Sequence, residues 1–265
     1  MIDVDFSISH LDKENPSNHR AISNLNRLPI NIDEHPYYET KLSREKKSGV
    51  GEDGFFEAYF DDLEDRLIEH ISSVNLVVGC VAWLTNKRIL SALSGVKNGV
   101  SIIVQKEDFL RPDYGVSSDW KRRLREAYDN LPSPPCRYSN WGNPLESMSY
   151  ACGPSIQPIR CMGNHNKNKS PAFPRMHHKF LVFCHYMDGT GSLGEIGQDR
   201  ITPLAVWTGS FNFSENANNS MENAVFFNDP AVVSAYFNEW NQIAARSEPL
   251  DWTSEWAEPE WRIGS

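Results

Sequence analysis

Apolar and polar positions divide the chain into a polar N-terminal stretch, a long patterned region and a tryptophan-bearing tail. From Phe55 onward, Phe56, Tyr59, Phe60, Leu63, Leu67, Ile71 and Val74 recur at three- and four-residue spacing, which predicts a helix with one buried face. The unbroken run from Leu76 to Trp83 predicts a strand covered on both faces, as in a parallel sheet. Thr85-Asn86 can cap a helix over Lys87 to Leu93 that stops near Gly95, and Asn98-Gly99 turns the chain into a second buried strand, Val100 to Val104. Strand, helix and strand within about thirty residues make a right-handed crossover unit. The fold class is therefore α/β, with a mixed, largely parallel sheet flanked by helices.

Trp120, Leu124, Tyr128 and Leu131 give a second amphipathic helix over 117–131, stopped by Pro132. An irregular Pro-, Gly-, Ser- and Asn-rich stretch, 132–174, follows, with a short strand expected at Ile159 to Met162. Three further apolar runs, Leu181 to Phe183, Leu204 to Trp207 and Ala224 to Phe227, predict strands. The glycine-rich insert 185–203 between the first two is expected beside one edge of any site they form. Its Gly189-x-Gly191-x-x-Gly194 is not followed by a helical pattern, which excludes a dinucleotide fingerprint. Asn228-Asp229-Pro230 opens a final helix that buries Val232, Val233, Phe237, Trp240 and Ile243 or Ala244. The expected organisation is an N-terminal arm (1–53), a main domain (54–247) and a tail (248–265). Trp252, Trp256 and Trp261 of the tail are expected to pack on their own domain or on a partner subunit rather than to stack on bases.

Composition narrows this picture. At 265 residues the chain can bury a sizeable core. Its longest apolar run, Val74 to Leu84, is too short to span a bilayer, and a soluble, cytoplasmic protein without membrane partners is expected. Five irregularly spaced cysteines do not suggest a disulfide framework. Cys136, Cys152, Cys161 and His165 lack the short Cys-x2-Cys spacing of structural zinc and are expected as loop or buried groups. A net charge of −9 argues against a general nucleic-acid binder, although Lys41 to Lys47, Lys121 to Arg125, and Lys167 with Lys169 form basic islands.

The chemistry gathers between Arg175 and Phe227. His177 and Lys179 stand two residues apart ahead of a strand, so both side chains leave one face of the sheet, a pairing suited to a phosphate. Gly209 permits close backbone approach at the end of the next strand, with Ser210 and Asn212 as small polar groups beside it. Glu222 precedes the third strand.

In this order the residues resemble the phospholipase D-like phosphodiesterases, whose pattern is His-x-Lys, four residues and Asp, then Gly-Ser-x-Asn. His177 and Lys179 match the first part, and Gly209, Ser210 and Asn212 the second; Cys184 stands where the family usually has Asp. The resemblance covers about residues 55–246 as a pattern of elements, with one motif copy in the chain. It implies a metal-independent phosphodiesterase without a cofactor. His177 would attack phosphorus to form a phosphohistidine, Glu222 would hold its other ring nitrogen, and Lys179, Asn212 and Ser210 would hold the phosphoryl oxygens. His178 would point to the other face. Because related active sites use two histidines, one motif copy implies a homodimer in which the partner's His177 protonates the leaving oxygen. Nucleic acid, DNA or RNA, is the expected substrate by analogy with single-motif members. A phospholipid phosphodiesterase and a catalytically silent binding module are the alternatives.

Overall fold

A computed structural model describes residues 48–50, 56–111, 118–134, 157–170, 173–187 and 200–258. The strands are β1 (Ser48–Val50), β2 (Phe56–Tyr59), β3 (Leu76–Val81), β4 (Val100–Gln105), β5 (Ile159–Met162), β6 (Lys179–Met187), β7 (Arg200–Gly209) and β8 (Ala224–Phe227). The helices are α1 (Leu63–Ser72), α2 (Lys87–Ser94), α3 (Asp119–Asp129) and α4 (Pro230–Ala244). The basic island 41–47, Cys136, Cys152, Gly189 to Gly194 and Trp261 lie outside the described residues.

The described strands form one sheet in the order β1-β2-β8-β7-β6-β3-β4-β5. The crossover is present: β3, α2 and β4 follow in sequence, and β3, β4 and β5 run parallel. Every other neighbouring pair is antiparallel. The fold is thus α/β with a mixed sheet, and its parallel part is smaller than the strand pattern implied. Burial on both faces reflects helices on both faces, whatever the strand direction. β6 is antiparallel to both neighbours, yet Phe180 to Cys184 are all buried.

Alternation along the strands assigns side chains to two cores. On one face Leu67 and Ile71 of α1, Ile89 and Leu93 of α2, and Leu124 of α3 cover Val77, Val81, Leu181, Phe183 and Trp207. On the other, Val233, Phe237, Trp240 and Ala244 of α4 cover Leu76, Val78, Phe180, Val182 and Val206. Local signals set the helix starts: the Asn86 side chain accepts from the N–H groups of Arg88 and Ile89, and Asp229 does the same for Ala231 and Val232.

Three expectations are corrected. The helix expected from Phe55 begins only at Leu63; Phe56–Tyr59 is a strand, with Phe56 opposite Phe227 and Tyr59 opposite Ala224. Aromatic residues suit a half-buried pleat, and Asp62, in the left-handed region at φ 54°, separates strand from helix. Second, β6 reaches Met187 and β7 begins at Arg200, and these two residues pair, so both ends of the expected 185–203 insert are ladder. Third, that junction lies at the opposite end of β6 from Lys179, about 26 Å away at strand rise, so the insert springs from the end remote from the motif residues. The basic island at Lys121 to Arg125 has a local use. Arg122 bridges Asp119 and Glu126, and Arg123 bridges Asp119, all on the exposed face of α3.

The residues after α4 return to the sheet. Glu248 forms a bridge with Cys161 of β5, and its carboxylate meets the fully buried Lys106 ammonium at 2.7 Å. Lys106 also donates to the carbonyls of Ser254 (3.1 Å) and Trp256 (2.8 Å). Trp252 packs between Lys106 and Arg111, at 5.0 and 4.8 Å from its ring centroid, with His165 at 5.0 Å. Trp252 therefore packs on its own domain. Cys161 donates to the Pro249 carbonyl and His165 pairs with Asp108 at 2.8 Å, so both have protein partners.

Glu248→Ala strands a buried ammonium and is expected to lower stability in urea unfolding by about 3–5 kcal/mol. Lys106→Met combined with Glu248→Leu should recover most of that loss. If the double variant lost as much, the pair would be stabilising by its own attraction rather than by mutual compensation of burial.

Candidate active site

One end of the sheet collects the polar groups. β3, β4, β5 and β7 end there, and β6 and β8 begin there: Val81 pairs with Lys179, Phe180 with Thr208, and Gly209 with Ala224. Residues distant in sequence thus share one edge. The ladder continues past β3, where the Ala82 N–H donates to the His178 carbonyl at 2.8 Å, and this fixes the backbone beside His177. Gly209 is required by close approach, since a Cβ there would lie 2.2 Å from the Asn223 carbonyl oxygen.

Lys179 is buried, and its Nζ lies 3.2 Å from His177 Nδ1 and 3.4 Å from Nε2 while donating to the His177 carbonyl at 3.0 Å. Desolvation, and then the positive Lys179 and Arg175 and the neighbouring His178, hold the His177 imidazole below its usual range. Neutral imidazole, the nucleophilic form, is therefore favoured. Burial also lowers the Lys179 ammonium, and the Glu222 carboxylate opposes that shift.

Glu222 accepts a hydrogen bond from Ser210 Oγ, which itself accepts from the Asn223 N–H at 3.1 Å. Among the described residues no hydrogen bond joins Glu222 to His177, so the carboxylate expected to hold the imidazole holds the hydroxyl instead. The physical reason lies in the β7–β8 turn: Ser210 N–H donates to the Asn223 carbonyl, which draws Ser210 and Glu222 onto facing ends of adjacent strands. Asn212 sits between Phe211 and Phe213, both anchored in the core, and its side-chain oxygen is buried without a hydrogen-bond partner. An unmet buried acceptor costs about 1–3 kcal/mol.

His178 takes the opposite direction, as expected, lying 3.4 Å from Glu239 of α4 and packing edge-on to Phe180. Cys184 lies in the core under α4, five residues along β6 from Lys179 and hence about 17 Å away, where burial pushes its thiol far up. A thiol suits this position because a carboxylate there would need a buried partner. The departure from the family pattern at Cys184 therefore leaves the groups around Lys179 unaltered.

Two neighbours escaped the sequence reading. Trp83 meets the His177 ring edge-to-face at 5.8 Å and donates from Nε1 to Glu107 at 3.2 Å. Gln105, fully buried, accepts from the Met176 N–H at 2.7 Å and donates to the Asn164 carbonyl at 2.8 Å, locking the segment that leads into His177. Both stand at or just past the ends of the crossover strands, the one signal that could have singled them out.

Followed by NMR, the His177 imidazole should titrate below about 6.5, the value of an unperturbed histidine. Lys179→Gln should move that titration upward, because a charge that disfavours imidazolium is gone. A lower or unchanged value in the variant would break the electrostatic link between the two residues.

No family model matches the chain. Similar solved structures include NucT from Helicobacter pylori, 15% identical over 73% of this chain and 98% of that one, with a TM-score of 0.46. Nuc from Salmonella typhimurium, a phospholipase D family member, is 16% identical over 73% and 97%, with a TM-score of 0.38. At such scores the overlaps are partial, and the phospholipase D-like resemblance rests on the motif residues and their common end of a mixed sheet. The uncharacterized protein L381 of Acanthamoeba polyphaga mimivirus is 33% identical over 218 residues, which cover 76% of this chain and 69% of that protein. With one residue in three shared over more than two thirds of both proteins, the chain belongs to the family of mimivirus protein L381.

Proposed function

We propose that the chain is a metal-independent phosphodiesterase that cleaves nucleic-acid phosphodiester bonds through a phosphohistidine. The observation that carries this reading is the contact between a neutral-leaning imidazole, His177, and a buried ammonium, Lys179, at the edge that also bears Ser210 and Asn212. A nucleophile for phosphorus and a cation for its oxygens are the two groups such chemistry needs first.

In the first step a His177 ring nitrogen forms a bond to phosphorus and the bond to the leaving oxygen breaks. Lys179 and the Asn212 amide hold the non-bridging oxygens as negative charge rises on them. The Ser210–Glu222 pair sets the width of this cradle, and Glu222 keeps Lys179 charged against the pull of burial. Water then attacks phosphorus, the phosphorus–nitrogen bond breaks, and a phosphate monoester leaves. Trp83 holds the imidazole from the side.

The leaving oxygen needs a proton, and among the described residues no second imidazole stands beside His177 on the Lys179 side, since His178 turns to Glu239. His177 is itself exposed, so a second copy of the chain can bring its own His177 to the same phosphate across a two-fold axis. We infer a homodimer with one shared site, in which either histidine serves as nucleophile and the other as acid.

With EDTA present, the protein should cleave labelled single-stranded or duplex oligonucleotides, and His177→Ala should reduce the rate by a factor on the order of a thousand or more. Cleavage that survives the variant, or that EDTA abolishes, sinks the mechanism. Reactions quenched in alkaline denaturant should yield a phosphoryl adduct on His177 that survives base and is lost in acid. Exchanging wild-type subunits with excess His177→Ala subunits should silence the mixed dimers. Activity in simple proportion to the wild-type subunits added would mean that each subunit works alone.

A further inference from the structure

The ends of the chain's irregular segments leave a second feature that the chemistry above does not use. Trp256 is 65% exposed, although the backbone around it is firmly held. Its carbonyl accepts from the buried Lys106, its N–H donates to Ser254 Oγ at 3.2 Å, and the next N–H, that of Ala257, donates to the Asn164 side chain at 2.9 Å. An indole held rigidly at the surface is a preformed apolar face, and Trp252, four residues earlier, shows that this segment can bury a tryptophan.

Phe173 lies beside it, with ring centroids 6.5 Å apart and planes 31° apart. The two rings line a hollow of about 150 Å³ together with Asn166, Lys167 and Ser170. Next to it runs a larger, open hollow of about 360 Å³, whose lining includes Pro174, Arg175, His177 and Ala257 together with the paired His178 and Glu239. Phe173 to Arg175 and Trp256 to Ala257 pass from one hollow to the other, so the aromatic pair and the proposed nucleophile stand along one groove.

Arg175 lines the larger hollow and Lys169 follows Asn168 of the smaller one; neither has a carboxylate partner among the described residues, while Lys167 pairs with Glu255. Lys169 is exposed and sits at φ 51° at the tip of a loop closed from both sides by Asn166, whose side chain accepts from the Ser170 N–H and donates to the Ser170 carbonyl. Cations on a fixed backbone beside open aromatic faces suit a chain of phosphates that carries unstacked bases. In a duplex the base faces are already stacked on one another and present only their edges.

We propose that Trp256 with Phe173 is a base-stacking subsite, and that Lys169 and Arg175 guide the backbone of a single-stranded nucleic acid from it to His177. This deepens, and rests on, the reading of His177 as attacking a nucleic-acid phosphodiester, but the subsite is tested by binding alone.

The test uses the full chain carrying His177→Ala, so that nothing is cut, and a fluorescently labelled single-stranded oligonucleotide in EDTA. Adding Trp256→Ala should weaken single-strand binding by about 5- to 100-fold, and Trp256→Phe should restore most of it. Quenching of tryptophan fluorescence on binding should fall in the Trp256→Ala protein. Trp120→Ala, at an exposed tryptophan on α3 that lines neither hollow, should leave affinity unchanged. Binding within twofold in Trp256→Ala overturns the subsite, as it would if Trp256 instead met a protein partner. An equal loss on duplex overturns the single-strand assignment. If the wild-type protein binds through Trp256 but cuts no phosphodiester, the cleavage reading falls and the subsite stands; if it cuts and Trp256 is indifferent, the reverse holds.

Discussion

β6 has to be paired along both edges and covered on both faces, and the placement of the site follows from meeting that demand. Its apolar residues are shared between the two cores, Leu181 and Phe183 facing α1 and Phe180 and Val182 facing α4. No single helical layer could bury them all. Once β3 takes one edge and β7 the other, register alone carries Lys179 to the end of the sheet where Val81 and Gly209 finish. Close-packed contacts such as the Gly209 approach to the Asn223 carbonyl leave little freedom to slip, and a shift of one residue would turn Lys179 and the buried phenylalanines to the wrong faces.

The polar edge is coupled to the rest of the fold through backbone hydrogen bonds rather than through a large ion-pair network. Gln105 at the end of β4 fixes Met176, the Ala82 amide fixes His178, and His177 is held between these points with Trp83 against its ring. Orientation from several sides is what an imidazole needs if it is to meet phosphorus at one angle. The charge arrangement works in the same direction. Burial and then the Lys179 charge lower the His177 imidazole, while Glu222 opposes the lowering of Lys179 by burial.

The segment after α4 contributes more than a cover. Through Glu248 it neutralises Lys106, a charge that could not otherwise be buried at the end of β4, one residue from Gln105. Stability of the tail and geometry of the histidine segment are therefore linked through two adjacent residues. The same anchoring fixes the Trp256 backbone and leaves its indole exposed at the surface.

How much of this was legible in the residues depends on the range of the interactions involved. Helix starts at Asn86 and Asp229, the β3–α2–β4 unit, the short β5 and the His-x-Lys and Gly-Ser-x-Asn pieces could be read directly, because capping, periodicity and motif spacing act over a few residues. The extent of the parallel part of the mixed sheet could not, because apolar runs report burial and not orientation, and only β3, β4 and β5 are parallel. Phe56 to Tyr59 has helical spacing, yet it pairs with β8, since a ladder partner outweighs local periodicity. Tertiary structure alone decided that Glu222 meets Ser210 and not His177, and that Trp83 and Gln105 stand beside the site. Each of these depends on register between strands distant in sequence, a quantity that spacing along one strand does not contain.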